Sequence, residues 1–497
     1  MAPKAIIIGS GVAGLSAAIR LAIQGIEVSV YEKNEVAGGK LGSLQKQGYQ
    51  FDTGPSLFTE PYLLQSLFDL AGERMDDYLT YEKCDDLCHY FFESGKKITA
   101  HADIDRFARE MEEQLGEPAE HTKQYLQKAG KLFNSVGDIF LNNSLHKTNT
   151  WFHRRVIKAL KQVKINHVIG NLDSFNAAAF RTPEAVQLFN RYATYNGSSP
   201  YNTPGMLSMI PHVEYNEGVY YPHGGMIKII EALQSLAEKK GVRFYFNTAV
   251  DRIIYNSGSV QGVVVNHQNI LADMVISNAD IYFTYSHLLG RKVQAQKLLK
   301  QPRSSSAIVF YWGIKKTYPA LGLHNIFFSN NYKAEFQAIF NKHSVYQDPT
   351  VYINITSKKE QGHAPAGSEN WFVMVNTAAH TGQDWETLQK ETKAAVLKKL
   401  QRLLGAEIEK YIEFEQVLNP SLIAGQTWAY EGALYGAASN NKFSAFLRPP
   451  NFFKKIKGLY CCGGTVHPGG GIPLCLRSAK ISAEIIQRDF LTLKHRP

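Results

Sequence analysis

The sequence has no long apolar run and little cysteine. Its 497 residues include five cysteines, an odd number that favours a reducing compartment over a disulfide framework. No stretch approaches the roughly 18 consecutive apolar residues that a membrane-spanning helix needs. The first apolar run, residues 5–8, is too short for the core of a signal peptide. We therefore expect a cytoplasmic location.

One segment has no acidic residue at all. Residues 139–172 contain no Asp or Glu but six Lys or Arg, in a chain with a net charge of +10. Apolar residues recur there at helical spacing, with Trp151 beside them. A basic amphipathic helix over 147–168 indicates peripheral attachment to a membrane surface, and the alternative is the solvated face of a packed helix. No nucleic-acid-binding motif accompanies the charge, so we expect no nucleic acid partner.

Glycine, by contrast, is clustered near both ends of the chain. After an apolar strand at 4–8, the spacing G-x-G-x-x-G is formed by Gly9, Gly11 and Gly14, and a helical pattern follows. The next apolar strand ends at Glu32. These glycines allow a tight turn and close approach of a pyrophosphate, while the helix N-terminus stabilises its charge and the acid accepts hydrogen bonds from a ribose. The unit predicts a dinucleotide site.

The residues after this unit resemble the extended FAD fingerprint of the amine-oxidase and carotenoid-desaturase superfamily. Gly38, Gly39 and Lys40 follow Glu32, and Gly54 comes shortly afterwards. The resemblance implies FAD as the cofactor and places Lys40 at the pyrophosphate. Arg is usual at that position, and Lys keeps the charge but not the two-pronged contact.

A second glycine-rich stretch, residues 463–473, resembles the closing motif of the bacterial-type carotenoid (phytoene) desaturase family. Its glycines let the backbone approach a flat ring, and a helix that begins near Ile472 points its amides at that ring. Residues 464–475 and 432–440 resemble the 1-hydroxycarotenoid 3,4-desaturase branch most. The FAD-binding residues implied by the resemblance are Gly9, Gly11, Val12, Ala13, Gly14, Glu32, Lys33, Gly39, Lys40, Gly54, Pro55, Ser56, Val250, Gly464, Gly471 and Ile472.

The resemblance implies removal of two hydrogens from adjacent carbons of a carotenoid, one as hydride to the flavin and one as a proton. His467 is the candidate proton acceptor because it precedes the glycine loop, and a histidine that only holds the loop is the alternative. Glu217 is a weaker candidate. Tyr195, Tyr220 and Tyr221 lie in stretches that line a long apolar tunnel in the family, so they are candidate substrate contacts. No metal site is predicted.

No second G-x-G-x-x-G follows a strand, so we expect a membrane quinone or oxygen, rather than NAD(P), to reoxidise the flavin. Three other functions stay open: phytoene or diapophytoene desaturation, amine oxidation, and non-enzymatic lipid binding of the kind found in Rab GDP dissociation inhibitors.

The expected fold is α/β, with a Rossmann-type FAD-binding domain, an inserted mixed-sheet substrate domain and a helical membrane-facing part. The predicted divisions are a discontinuous FAD-binding domain at 1–90, 215–285 and 455–490, a helical lid or membrane-associating part at 91–214, and a substrate-binding domain at 286–454.

Overall fold

The computed structural model describes residues 2–151, 167, 170–441 and 448–494. The strands, in chain order, are β1 (Lys4–Ile8), β2 (Glu27–Tyr31), β3 (Ser43–Lys46), β4 (Tyr49–Asp52), β5 (Phe58–Thr59), β6 (Tyr81–Lys83), β7 (Asp86–Phe91), β8 (Lys97–His101), β9 (Val219–Pro222), β10 (Arg243–Tyr245), β11 (Arg252–Asn256), β12 (Ser259–Val265), β13 (Gln268–Leu271), β14 (Met274–Ser277), β15 (Ser306–Ile314), β16 (His324–Phe327), β17 (Val351–Asn354), β18 (Glu369–Thr377), β19 (Ile412–Leu418) and β20 (Leu459–Cys461).

The α-helices, also in chain order, are α1 (Val12–Ile23), α2 (Tyr62–Leu70), α3 (Ile104–Glu110), α4 (Ala119–Leu132), α5 (Asp138–Asn142), α6 (Thr148–Trp151), α7 (Leu172–Ala179), α8 (Pro183–Asn190), α9 (Ile227–Lys239), α10 (Ile281–Phe283), α11 (Lys292–Leu298), α12 (Tyr332–Phe340), α13 (Trp385–Leu404), α14 (Pro420–Thr427) and α15 (Ile472–Lys494).

A five-stranded parallel sheet gathers strands from distant parts of the sequence, in the order β10-β2-β1-β14-β20. Helix α1 packs against both α9 and α15 on one face of this sheet. On the other face, Ile6 and Ile8 pack against residues of the β11-β12-β13 sheet. Both faces are therefore covered, as a parallel sheet of apolar strands requires. The first and last parts of the chain meet in this sheet.

A second sheet of seven strands has the order β19-β15-β18-β17-β16-β7-β8 and is antiparallel except between β16 and β7. Strand β15, which is second in this order, is buried on both faces. Ile308 and Phe310 lie in a cluster with α13, whereas the alternate residues Ala307, Val309 and Tyr311 face an internal cavity. The period of two along the strand thus separates a helix-covered face from a cavity-lining face.

The predicted domain boundary at residue 90 falls inside β7, which pairs with β16 in the second sheet. Strands β7 and β8 come from the first part of the chain but form one edge of this second sheet. The place of β7 and β8 in this sheet depends on pairing between strands that are far apart in sequence. Local sequence patterns do not reveal such pairing.

Six helices, α3 to α8, lie between β8 and β9 in the described part of the chain. The basic segment predicted at 147–168 lies largely outside the described residues. Trp151, at its start, is 41% exposed and donates its indole N–H to the Leu145 carbonyl at 3.0 Å. Among the described helices, none is at once long enough and apolar enough to cross a bilayer.

Candidate dinucleotide and substrate site

The first glycine turn connects β1 to α1 with no room for side chains. Gly9 has a φ of +94°, which favours glycine strongly. A Cβ added at Gly14 would lie 2.1 Å from the Gly9 carbonyl oxygen, and one at Gly11 would lie 2.9 Å from Oδ1 of Asn278. The free amides at the start of α1 therefore stay close to the cavity, where a pyrophosphate can reach them.

Asn278 follows β14 and touches both glycine-rich loops. Its Nδ2 donates to the Cys462 carbonyl at 3.0 Å, and a Cβ added at Gly463 would lie 2.6 Å from the same nitrogen. This side chain therefore sets the spacing between the first turn and the closing loop.

Glu32 is buried at the end of β2 and lines the cavity. Its Oε2 accepts from the backbone N–H and the hydroxyl of Ser10 at 2.9 and 3.0 Å, and its Oε1 accepts from the backbone N–H of Asn34 at 3.0 Å. These donors fix the carboxylate in place. Its remaining lone pairs suit the hydroxyls of a ribose.

Lys33, the residue after Glu32, contacts helix α14 from the second half of the chain. The Lys33 ammonium donates to the Gly425 carbonyl at 2.9 Å and lies 4.5 Å from the centre of the Trp428 ring. Val250 lines the same part of the cavity, beside the backbone of Thr248, whose N–H donates to the Glu32 carbonyl at 2.8 Å. The contact of Lys33 with Trp428 was not predicted because the two residues are far apart in sequence.

Lys40 is half-buried, and burial lowers the pKa of its ammonium. The ammonium donates to the Leu434 carbonyl at 2.6 Å and to the Ala433 carbonyl at 3.2 Å. It therefore joins the turn after Glu32 to the segment that precedes the closing motif. Lys40 also lines the cavity, where its charge faces the predicted position of the dinucleotide.

The closing loop is held from behind by Arg448, a residue with 2% exposure whose role was not predicted. Its Nη1 donates to the carbonyls of Tyr435 and Gly464 at 2.6 and 3.0 Å, and its Nη2 donates to the Ala437 carbonyl at 3.1 Å. Burial lowers the pKa of Arg448 to about 10, so the guanidinium remains charged at neutral pH. The loop has no space for larger residues, since a Cβ at Gly470 would lie 2.6 Å from the Tyr435 ring.

His467 lies in this loop and lines the cavity. Its Nε2 is 2.9 Å from the Asn143 carbonyl, which only a protonated Nε2 can satisfy, so Nδ1 carries the free lone pair of the neutral ring. Burial lowers the pKa of His467 to about 4, and the imidazole is therefore neutral at physiological pH. The hydrogen bond fixes the tautomer.

A cavity of about 880 Å³ joins these groups to an apolar interior. All the predicted cofactor residues except Gly14 line it, and Gly14 supports the turn from behind. The dinucleotide fits this cradle because there is no room for a Cβ at Gly11, Gly14 or Gly54, so the backbone there lies close to the cavity, and because Glu32 is held in its wall. Apolar and aromatic residues that line the rest of the cavity include Phe133, Phe140, Leu141, Leu145, Leu207, Met209, Ile210, Val213, Ala307, Val309, Tyr311, Phe372, Met374 and Leu418.

The predicted substrate and proton-acceptor residues are only partly brought together. Tyr195 lines the cavity, but Tyr220 and Tyr221 do not. The two tyrosines lie on β9, the central strand of the small β5-β9-β6 sheet, whose two faces are packed against other parts of the protein. Glu217 also lies outside the cavity lining, and its Oε1 is 3.2 Å from Nε2 of His212.

A buried ion pair in the cavity wall was not predicted. Arg191 donates from Nη2 to Oε2 of Glu214 at 2.6 Å and from Nε to the Tyr90 hydroxyl at 2.8 Å. Tyr192 and Tyr195 donate their hydroxyl protons to the same carboxylate. The sequence signal that could have found this cluster is an Arg close to two tyrosines, Arg191 with Tyr192 and Tyr195.

Comparison with known proteins agrees with this geometry. A family model described as flavin-containing amine oxidoreductase matches residues 12–487. The chain is 52% identical to a 1-hydroxycarotenoid 3,4-desaturase of Flavobacterium sp. (strain P99-3), over 97% of this chain and 99% of that protein. It is 30% identical to a zeta-carotene-forming phytoene desaturase of Myxococcus xanthus, over 99% and 94% of the two chains. A redesigned triple mutant of putrescine oxidase superposes with a TM-score of 0.64 over 98% and 99% of the two chains at 14% identity, which shows a common fold.

We expect Gly14→Ala to remove most of the bound flavin. The added methyl would meet the Gly9 carbonyl at 2.1 Å, so α1 must move away from β1 and its amides from the pyrophosphate. Gly362→Ala is the matched control, because no atom lies within 4 Å of the added Cβ and Gly362 does not line the cavity. The ratio of flavin to protein absorbance after purification measures the effect, and equal ratios in the two variants would contradict the assignment of the turn.

We expect His467 to make the protein less stable as the pH falls. Its pKa rises from about 4 in the folded protein to about 6.5 in the unfolded chain, so only the unfolded chain takes up this proton between those values. The contribution is fully present above pH 6.5 and is lost toward pH 4, by at most about 1.4 kcal/mol per pH unit. Urea unfolding at several pH values should show a shallower slope for His467→Gln than for the wild type.

The control for this pH dependence is His223→Gln, since the side chain of His223 is 51% exposed. That variant should keep the wild-type slope. A His467→Gln variant with an unchanged slope would show that the ring is not held neutral by burial.

Proposed function

The chain belongs to the flavin-containing amine oxidoreductase family, and on that premise we propose that it is an FAD-dependent desaturase that forms the 3,4 double bond of a 1-hydroxylated acyclic carotenoid. The proposal rests above all on the 52% identity to a desaturase of this kind over nearly the whole of both chains. A cavity that joins the dinucleotide cradle to a long apolar lining supports it independently.

The apolar lining suits a polyene. Aliphatic and aromatic side chains from β15, β18 and the segment around α5 face the cavity. Burial of such a substrate is favoured at roughly 25 cal/mol per Å² of apolar surface removed from water. The same lining excludes water from the reacting carbons.

When bound, FAD supplies the acceptor for the hydride that leaves the carotenoid. The residues of this chain orient the two partners and provide for the proton. His467 is our candidate for the proton acceptor, with Nδ1 as the accepting atom, because Nε2 is committed to the Asn143 carbonyl. Its low pKa makes it a weak base, which suffices when loss of the hydride leaves an allylic cation that gives up a proton readily.

We also place the 91–214 part of the chain at the membrane surface, on the cytoplasmic side. Phe140, Leu141 and Leu145 line the cavity just before Trp151 and the basic residues that follow it in the sequence. A carotenoid dissolved in a bilayer would thus enter the cavity near the positively charged segment. A membrane quinone, or oxygen, is the acceptor that we propose for the electrons of the reduced flavin.

Expression in cells that make 1-hydroxylated acyclic carotenoids should lengthen the conjugated system of the pigment by one double bond and shift its absorption to longer wavelength. Gly11→Val should abolish the shift, because a Cβ there meets Oδ1 of Asn278 at 2.9 Å. Purified enzyme should turn over with a quinone or oxygen and not with NAD(P)⁺ alone. Conversion of phytoene or diapophytoene, with no effect on the hydroxylated substrate, would favour that alternative activity instead.

Charge reversal in the basic segment should weaken binding to anionic liposomes by at least about 100-fold, since each basic residue near such a surface contributes on the order of 1 kcal/mol. The reversed residues are Arg154, Arg155, Lys158 and Lys161. The control reverses four exposed lysines elsewhere, Lys292, Lys297, Lys300 and Lys342. Sedimentation with liposomes measures binding, and equal retention of both variants would refute the membrane assignment.

A further inference from the structure

The Arg191–Glu214 ion pair lies in the wall of an apolar cavity, where charged groups are costly unless they are paired. The two side chains are 9% and 3% exposed. Their opposite charges cancel, so the site as a whole is neutral. A neutral polar group of a ligand therefore suits it better than an ammonium or a carboxylate, either of which would face a like charge.

The ion pair has hydrogen-bonding capacity that the described residues do not use. Nε and Nη2 of Arg191 are engaged, but its Nη1 makes no hydrogen bond within the described part of the chain. Arg191 lines the cavity, so these N–H groups can serve as donors to a ligand.

Tyr195 supplies the complementary acceptor. Its hydroxyl proton is given to Oε1 of Glu214, which leaves the lone pairs of the phenolic oxygen for a donor in the cavity. Tyr192 donates to the same carboxylate, but it is fully buried and does not line the cavity. The cavity wall thus presents one donor and one acceptor side by side, which is the pattern that a hydroxyl group satisfies.

We propose that Arg191 and Tyr195 bind the hydroxyl group of the carotenoid, with Arg191 Nη1 donating to its oxygen and the Tyr195 oxygen accepting its proton. Glu214 is the positioning residue, since it holds both side chains. The inference rests on the proposed function. In a 1-hydroxylated end, the hydroxyl is on carbon 1 and only carbon 2 separates it from the new double bond between carbons 3 and 4. Binding of the hydroxyl at a fixed position therefore decides which carbon–carbon bond is oxidised.

The test compares a 1-hydroxylated acyclic carotenoid with the same polyene lacking the hydroxyl, both in detergent micelles with FAD-loaded protein. Quenching of protein fluorescence gives the two dissociation constants. The ratio of these constants is compared between variants, because the partition of each polyene into the micelle is the same for every variant and therefore cancels. In the wild type the hydroxylated polyene should bind at least about 10-fold more tightly, the effect of hydrogen bonds to a partly charged site.

Tyr195→Phe should lose most of this preference, by about 10-fold, through weaker binding of the hydroxylated polyene alone. Tyr192→Phe is the matched control, because it removes the hydroxyl that donates to the same carboxylate and accepts from Arg191 Nη2 without lining the cavity. It should keep the wild-type ratio. Arg191→Lys retains the positive charge opposite Glu214 but removes Nη1, and it should lose the preference as Tyr195→Phe does.

Equal affinities of the wild type for the two polyenes would overturn the inference, and so would parallel losses for both polyenes in Tyr195→Phe and Tyr192→Phe. Turnover of the two polyenes is measured in the same samples. A binding preference without turnover would refute the proposed function and leave the hydroxyl site standing. Turnover without a binding preference would support the proposed function and refute the hydroxyl site.

Discussion

The contact between the two ends of the chain depends on Asn278. Its backbone N–H donates to the Ile8 carbonyl at 2.8 Å, its Oδ1 occupies the space that a side chain at Gly11 or Gly14 would need, and its Nδ2 reaches the Cys462 carbonyl. One amide thus touches both the first glycine turn and the closing loop. Glycine is needed at Gly11, Gly14 and Gly463 for the same reason, since the Asn278 amide occupies the space that a side chain there would need.

The parts of the site that could be predicted are those formed by neighbours in sequence. The turn at Gly9 to Gly14 and the acid at Glu32 belong to one βαβ unit, whose period and glycine spacing are visible in the chain itself. The closing loop and the start of α15 at Ile472 were equally local. The FAD-binding fold of the family follows from these two motifs, and the family model covers almost the whole chain.

The parts that could not be predicted depend on packing between distant segments. Nothing near Arg448 in the sequence shows that its guanidinium donates to the carbonyls of Tyr435, Ala437 and Gly464. Tyr220 and Tyr221 look like tunnel residues in sequence, yet their strand lies between two others and their rings are directed into packed layers. The ion pair of Arg191 with Glu214 arises because two short helical segments meet beside the cavity.

The contact of Lys33 with α14 has a kinetic consequence. Because Lys33 binds the Gly425 carbonyl and lies over Trp428, the cavity beside Glu32 is bordered by a helix that belongs to the other half of the chain. A dinucleotide bound in this part of the cavity would be released only when α14 moves away from Lys33. Its rate of release would then depend on the separation of two protein segments as well as on its own contacts.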